Sequence, residues 1–167
     1  MKYILFLAIL SSHFVAFSQS IEMEGVNLPS TETFELKLAE EYAYRKDGLQ
    51  VIIGRHNDEL GTGVIKLIVK TGDGLGIKGR VSLQLDDGST LVLEDKGRRA
   101  YEDDHSSNIF DLSAAQVESM RKRNLRNVRF SVKCINCFLS TKEGNFVANN
   151  DNNVPVLEMV DQLFSGK

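Results

Sequence analysis

Residues 79–95 read GRVSLQLDDGSTLVLED, and this stretch decides the class of fold. Apolar and polar residues alternate on both sides of Asp87-Gly88, which is typical of two half-buried strands joined by a tight turn. A three-residue loop of Asp86, Asp87 and Gly88 places glycine where the backbone needs a positive φ. The segment therefore predicts an antiparallel β-hairpin.

The length of the loop also sets which residues of the hairpin face each other. With three loop residues, Leu83 lies opposite Leu91. Val81 then lies opposite Leu93, so one face of the hairpin is apolar. A two-residue turn would instead place Val81 opposite Glu94. Because cross-strand apolar pairs stabilise a hairpin by a few tenths to ~1 kcal/mol each, we predict the three-residue loop.

The same alternation predicts further strands on both sides of this hairpin. They are residues 34–38, 65–69 and 128–132, with a second hairpin over residues 42–54 around Asp47-Gly48. Residues 94–108 are polar and predict a loop.

Two helices are predicted after that loop. Ser113 and Gln116 form a capping-box pattern, and the helix that follows ends near the cations Arg121, Lys122 and Arg123. A second helix with one apolar stripe follows Asn153. The order of elements predicts an α+β domain: an antiparallel sheet of about six to eight strands with two helices packed on one face.

The beginning of the chain is typical of a secretory signal. Lys2 precedes an apolar run, and Ala16-Phe17-Ser18 supplies the small residues that a signal peptidase requires. The run is shorter than the roughly 20 apolar residues of a membrane span. We predict a signal peptide over residues 1–18, with cleavage near Ser18 or Ser20, and a periplasmic or secreted protein.

The remainder divides into a flexible lead-in at residues 19–32, which is polar and contains Gly25 and Pro29, and a single α+β domain at residues 33–167. The formal net charge is −3, and loss of Lys2 makes it one unit more negative. This mild acidity argues against nucleic acid as a partner. No transmembrane segment is expected after cleavage.

Cys134 and Cys137 are the two cysteines of the chain. A thioredoxin-type pair needs its first cysteine at a helix N-terminus, whereas this pair follows a predicted strand. An oxidising compartment permits a disulfide between neighbouring cysteines. The pattern favours a structural role, as a disulfide or as buried thiols, over metal binding or redox activity.

Other motifs give no catalytic, cofactor-binding or metal-binding residues. Gly74, Gly76 and Gly79 match a dinucleotide-binding pattern, but a strand follows them instead of a helix. Residues 149–153 resemble the start of a calcium loop but lack its glycine and final glutamate, so a side-chain-capped turn explains them better. Glu102 to His105 cluster acid–base groups, which in a polar loop are usually solvated.

Several of these segments resemble small exported proteins of Gram-negative bacteria that have no assigned function. The similarity lies in the Asp87-Gly88 hairpin, the helix Leu112 to Arg121 and the strand Leu125 to Phe130. It covers about half of the chain after the signal, and Met120 stands where the pattern more often has leucine. The resemblance implies an exported protein of this fold and implies no activity, cofactor or catalytic residue.

One cluster of charge is a candidate site. It contains five cations around the end of the first helix and the next strand: Arg121, Lys122, Arg123, Arg126 and Arg129. Their ordinary role is to compensate the helix dipole and solvate a strand, but on an acidic protein they also fit an acidic envelope protein or surface. The leading hypothesis is a non-catalytic binding or accessory domain. The alternatives are a small secreted hydrolase with a site built from loops and a thiol-disulfide protein that uses Cys134 and Cys137.

Overall fold

The structure is a computed structural model that describes residues 19–39, 47–58, 60–71, 74–135 and 143–166. It is mostly β-sheet, with 53% of the described residues in strands and 13% in helices. The strands are β1 Ser20–Met23, β2 Val26–Pro29, β3 Phe34–Leu38, β4 Leu49–Arg55, β5 Gly63–Lys70, β6 Leu75–Ile77, β7 Val81–Leu85, β8 Thr90–Leu93, β9 Arg98–Glu102, β10 His105–Leu112, β11 Leu125–Cys134 and β12 Gly144–Asn149. The helices are α1 Ala114–Met120 and α2 Val156–Ser165.

Ten of these strands form one curled antiparallel sheet. Its order is β8-β7-β11-β12-β3-β4-β5-β10-β9, and β6 pairs with the end of β11 beside β7. The strands β1 and β2 form a separate two-stranded sheet. The curled sheet encloses one apolar core to which nearly every strand contributes.

The expected α+β arrangement is therefore wrong. The sheet has ten strands instead of six to eight, and the two helices do not cover one of its faces. They contact each other at the end of the sheet where β10 and β4 finish. The inward side chains Val117, Met120, Val156, Val160 and Leu163 extend the core at that end. A curled sheet buries its apolar face against itself, so it needs helices only at an opening.

Part of the error arises from residues 94–108, which form most of a hairpin instead of a loop. β9 pairs with β10 through a two-residue turn, Asp103-Asp104, in which both residues have a positive φ. Asp tolerates this conformation better than most residues, so the turn suits the right-handed twist of the strands. The inward residues Ser106 and Asn108 are polar although they are buried, and this hides the strand pattern.

The hairpin of β7 and β8 has the predicted register. Val81 lies opposite Leu93 and Leu83 opposite Leu91. The amide of Leu85 donates to the carbonyl of Ser89 across the loop (2.9 Å), and Gly88 has φ +85°. The three-residue loop and its glycine are confirmed.

Residues 19–29 form a hairpin in place of the expected flexible lead-in. Ile21 in β1 and Leu28 in β2 are buried against Val64 on the outer surface of the large sheet. The amide of Thr31 donates to the carbonyl of Ile53, which joins the end of this hairpin to β4 (2.8 Å). The first half of the hairpin predicted over residues 42–54 lies outside the described residues, and its second half is β4.

The predicted capping box of α1 is confirmed. Ser113 Oγ accepts from the amide of Gln116, and Gln116 Oε1 accepts from the amide of Ser113. The helix ends at Met120, one residue before the predicted basic turn, and Arg121 is its C-cap. Asparagines hold the turn before α2: Asn150 Oδ1 accepts from the amide of Val154 (2.8 Å).

The two sides of the curled sheet meet along a line that we call the seam, where β6 faces β9 and β10. Hydrogen bonds made by side chains, instead of a ladder of backbone hydrogen bonds, join the two sides. Asn108 and Arg99 both donate to the carbonyl of Ile77, at 3.3 and 3.0 Å. Asp95 accepts from Asn108 at 3.0 Å and also from Arg99. The seam is thus closed by a small polar network.

Candidate functional site

The structure divides the basic cluster into two groups, and the first group consists of Arg121, Lys122 and Arg123. Arg121 donates to Asp161 Oδ1 from Nε and Nη2, at 2.9 and 2.7 Å. Lys122 Nζ lies 2.8 Å from Glu118 Oε1, and Arg123 pairs with Asp87.

These pairs also affect the pKa values of the carboxyl groups. The hydrogen bond from Arg121 lowers the pKa of Asp161, and that from Lys122 lowers the pKa of Glu118. The pKa of Asp87 is lowered chiefly by hydrogen bonds from Ser89, with a smaller contribution from Arg123. The first group is therefore already neutralised by the protein itself, and it joins α1 to α2 and to the β7–β8 loop.

Arg126 and Arg129 form the second group. Both lie on β11 and are exposed, and neither side chain has a hydrogen bond or ion pair with any described residue. Arg129 points outward because its neighbours Val128 and Phe130 are buried in the core. Arg126 lies at an irregularity in the pairing of β11 with β7, where the register shifts between Leu125 and Asn127.

The surface around Arg129 is polar and largely uncharged. Arg129 lies opposite Ser82 of β7 and Val147 of β12. Asn127 Nδ2 donates to Gln84 Oε1 (2.7 Å), while Asn127 Oδ1 is buried without a hydrogen-bond partner among the described residues. We call the outward side of β7, β11 and β12 the outer face. It presents the guanidinium of Arg129, which has no partner among the described residues, in surroundings that are mostly amides and hydroxyls.

Arg126 stands at the border of this face, beside a polar cleft of about 520 Å³. Asp86 and Asp151 also line the cleft, so carboxylates partly offset the charge of Arg126. Asn149 and Asn153 complete its rim. The positive charge of Arg129 is consequently less compensated than that of Arg126.

Cys134 is disulfide-bonded and partly buried at the end of β11. Cys137 lies outside the described residues, so the pairing of these two cysteines stays a prediction. The amide of Cys134 donates to Glu143 Oε1 (2.7 Å). Because Cys134 ends a strand, it lacks the helix N-terminus that lowers a thiol pKa in redox sites.

The remaining motifs take ordinary places in the fold. Gly76 lies within β6, with Gly74 and Gly79 on either side of that strand, so no helix begins at these glycines. Glu102 and His105 flank the exposed β9–β10 turn, and His105 Nδ1 donates to the carbonyl of Asp103 (2.8 Å). Within the described ranges, no group of three or more His, Cys, Asp or Glu residues could hold a metal ion.

Sequence reasoning missed two features of the structure. One is the network of Asp95, Arg99 and Asn108 at the seam, whose members come from a loop and two strands. The other is a cavity beside the seam, between Leu75 and Tyr101. Neither has a sequence signal, because both depend on how the sheet curls.

Comparison of the chain with models of known protein families, with curated proteins and with solved structures found no match. In the part of the chain that the structure describes, no helix is long and apolar enough to cross a membrane.

Proposed function

We propose that this protein is an exported, non-catalytic binding domain that docks an acidic protein partner of the cell envelope on its outer face. One observation carries the proposal: Arg126 and Arg129 make no hydrogen bond or ion pair with any described residue, whereas the three cations beside them are matched by Asp161, Glu118 and Asp87. Free guanidinium groups on a rigid strand are well placed to receive carboxylates in a fixed, bidentate geometry.

The charge of the whole chain strengthens this choice. At a formal charge of −3, the protein as a whole repels an acidic partner. Docking of such a partner is therefore favoured only where positive charge is concentrated on the surface. Such complementary patches mainly raise the rate of encounter and fix the orientation of docking. Since both arginines are exposed, salt will screen the interaction over a Debye length of roughly 8–10 Å at 0.1–0.15 M.

The experiment reverses the two charges. Arg126→Glu/Arg129→Glu protein and wild-type protein are used to capture partners from an envelope extract at low salt, and the captured proteins are identified by mass spectrometry. We expect one acidic protein to be recovered by the wild type and about tenfold less of it by the variant, because rim charges control association.

A matched control applies the same change of charge elsewhere. Lys66→Glu/Lys70→Glu alters β5 on a different part of the sheet, where Lys66 is partly exposed and the exposed Lys70 lies 3.6 Å from Asp47 Oδ2. This variant should recover the partner as the wild type does. Equal recovery by the Arg126/Arg129 variant, or recovery that high salt does not weaken, would contradict the proposal. Circular dichroism of each variant checks that the fold is kept.

A further inference from the structure

A cavity of about 310 Å³ lies at the seam, at the end of the sheet opposite the helices. Gly74 and Leu75 form one wall, and Arg99 and Tyr101 of β9 form the other. Ala100 of β9, Ser106 of β10 and Ile135 complete the lining. The volume is at the lower end of the roughly 300–1,000 Å³ that is typical of small-molecule sites.

Exposed apolar side chains converge on this cavity. Tyr101 is 49% exposed and Ile135 is 46% exposed. Only three other large apolar residues in the described ranges are comparably exposed, and none of them lines the cavity: Val26, Leu60 and Val92. Scattered apolar residues on a surface are normal, whereas Tyr101 and Ile135 both border one concave site.

Hydrogen bonds to backbone carbonyl groups hold the walls of the cavity. The amide of Ile135 donates to the carbonyl of Gly74 (3.1 Å), and Thr71 Oγ1 donates to the carbonyl of Leu75 (2.7 Å). Ile135 follows the disulfide-bonded Cys134 and packs directly on Gly76. A Cβ atom on Gly76 would lie 2.3 Å from Ile135 Cδ1. The cavity is thus formed before any ligand arrives, which lowers the entropic cost of binding.

The lining also indicates the chemistry of the ligand. Ile135 and the ring of Tyr101 offer apolar contact, whereas Leu75 and Ser106 border the cavity but are buried, at 0% and 1% exposed. Arg99 contributes a guanidinium whose charge is matched by Asp95 within the same network. A charged ligand would therefore lack a free counter-charge, and a neutral one fits better.

We propose that this cavity binds a small, neutral aromatic molecule of about one ring that carries a single polar group. The ring would lie against Tyr101 and Ile135, and its polar group would lie near the partly exposed guanidinium of Arg99. This site is separate from the outer face around Arg129, so either proposal can fail without the other.

The test is a titration of ¹⁵N-labelled full protein with p-cresol, followed by amide chemical shifts. We expect saturable shifts that are concentrated at Leu75, Tyr101, Ser106 and Ile135. In Tyr101→Ala/Ile135→Ala protein, which loses both exposed apolar walls, affinity should fall about tenfold or more, since aromatic contacts are directional and large in area.

Val92→Ala is the matched control, because Val92 is equally exposed (47%) but lies on β8 away from the cavity. It should bind p-cresol as the wild type does. Shifts that never saturate, shifts spread over the exposed apolar residues in general, or unchanged affinity in the Tyr101/Ile135 variant would overturn the proposal. Thermal melts confirm that the variants are folded, and glycerol as a non-aromatic probe should cause no saturable shift.

Discussion

Asp95 shows how one side chain can connect several parts of this fold. Its carboxylate accepts hydrogen bonds from the amides of Gly79 and Gly97, at 2.7 and 2.8 Å, besides those from Asn108 and Arg99. Burial alone would raise the pKa of Asp95, but the hydrogen bonds and the charge of Arg99 together lower it below its ordinary value. The carboxylate therefore stabilises the folded state only while it is ionised.

We predict that Asp95→Asn lowers the free energy of unfolding by about 2–4 kcal/mol at pH 7, because it leaves the guanidinium of Arg99 without its counter-charge. A group with a lowered folded pKa contributes its stability above its unfolded pKa, which is about 3.9 for Asp. That contribution is lost as the pH falls through the folded pKa. Urea unfolding of wild type and variant should show their stabilities converging on acidification.

Glu94→Gln is a control for this measurement. Glu94 pairs with Arg80 at the surface, where both side chains are more than half exposed, so the change should cost under about 0.5 kcal/mol. A gap between wild type and Asp95→Asn that stays constant from pH 7 to pH 3 would show that the ionised carboxylate is not what stabilises the seam.

At the scale of single elements, the β7–β8 hairpin separates the two faces of the sheet cleanly. Leu83 is fully buried, whereas its neighbour Ser82 lies on the outer face and is only partly buried. We predict that Leu83→Asp unfolds the protein, since an unpaired carboxylate in an apolar core is among the most costly single changes. Ser82→Asp introduces the same carboxylate one residue away, on the outer face. This variant should stay folded, as judged by circular dichroism.

The pair of variants tests the register of β7 as well as which of its two faces is buried. A one-residue slip of β7 would exchange the two environments, because side chains alternate from face to face along a strand. A folded Leu83→Asp protein beside an unfolded Ser82→Asp protein would therefore contradict the register.

The elements that the sequence predicts well are those fixed by neighbouring residues. The loop of Asp86, Asp87 and Gly88 and the capping box of Ser113 and Gln116 need only local chemistry, and both are confirmed. β9 and β10 were missed because their inward side chains at the seam are polar: Arg99, Ser106 and Asn108. Alternation of apolar residues cannot reveal a strand whose buried side carries hydrogen-bonding groups.

The candidate site was predictable only as a cluster of charge. The sequence places Arg121 and Arg129 together, yet it cannot say which of them is free, since the partner of Arg121 is Asp161, 40 residues further along the chain. Similarly, the cavity between β6 and β9 exists only after the sheet has curled. Both features are properties of tertiary structure and have no local pattern.

At the scale of the whole molecule, curling explains why the expected layered fold is wrong. A flat sheet of six to eight strands would need helices over one face to bury its apolar side chains. Ten strands that curl bury those side chains against one another, and α1 and α2 then cover only one end. Among the described segments, the β1–β2 hairpin covers part of the outer surface, beside Val64.

That hairpin leads to a prediction about export. The carbonyl of Gln19 accepts from the amide of Ser30 (3.2 Å), and Gln19 Oε1 accepts from the amide of Thr33 (3.1 Å). Cleavage after Ser18 would keep these bonds and the whole of β1, whereas cleavage after Ser20 would remove both Gln19 and the first residue of the strand. We predict that the exported protein begins at Gln19. Intact mass spectrometry of the periplasmic fraction of a Gram-negative host that expresses the full chain measures this directly, and a protein that begins at Ile21, or one that keeps residues 1–18, would contradict it.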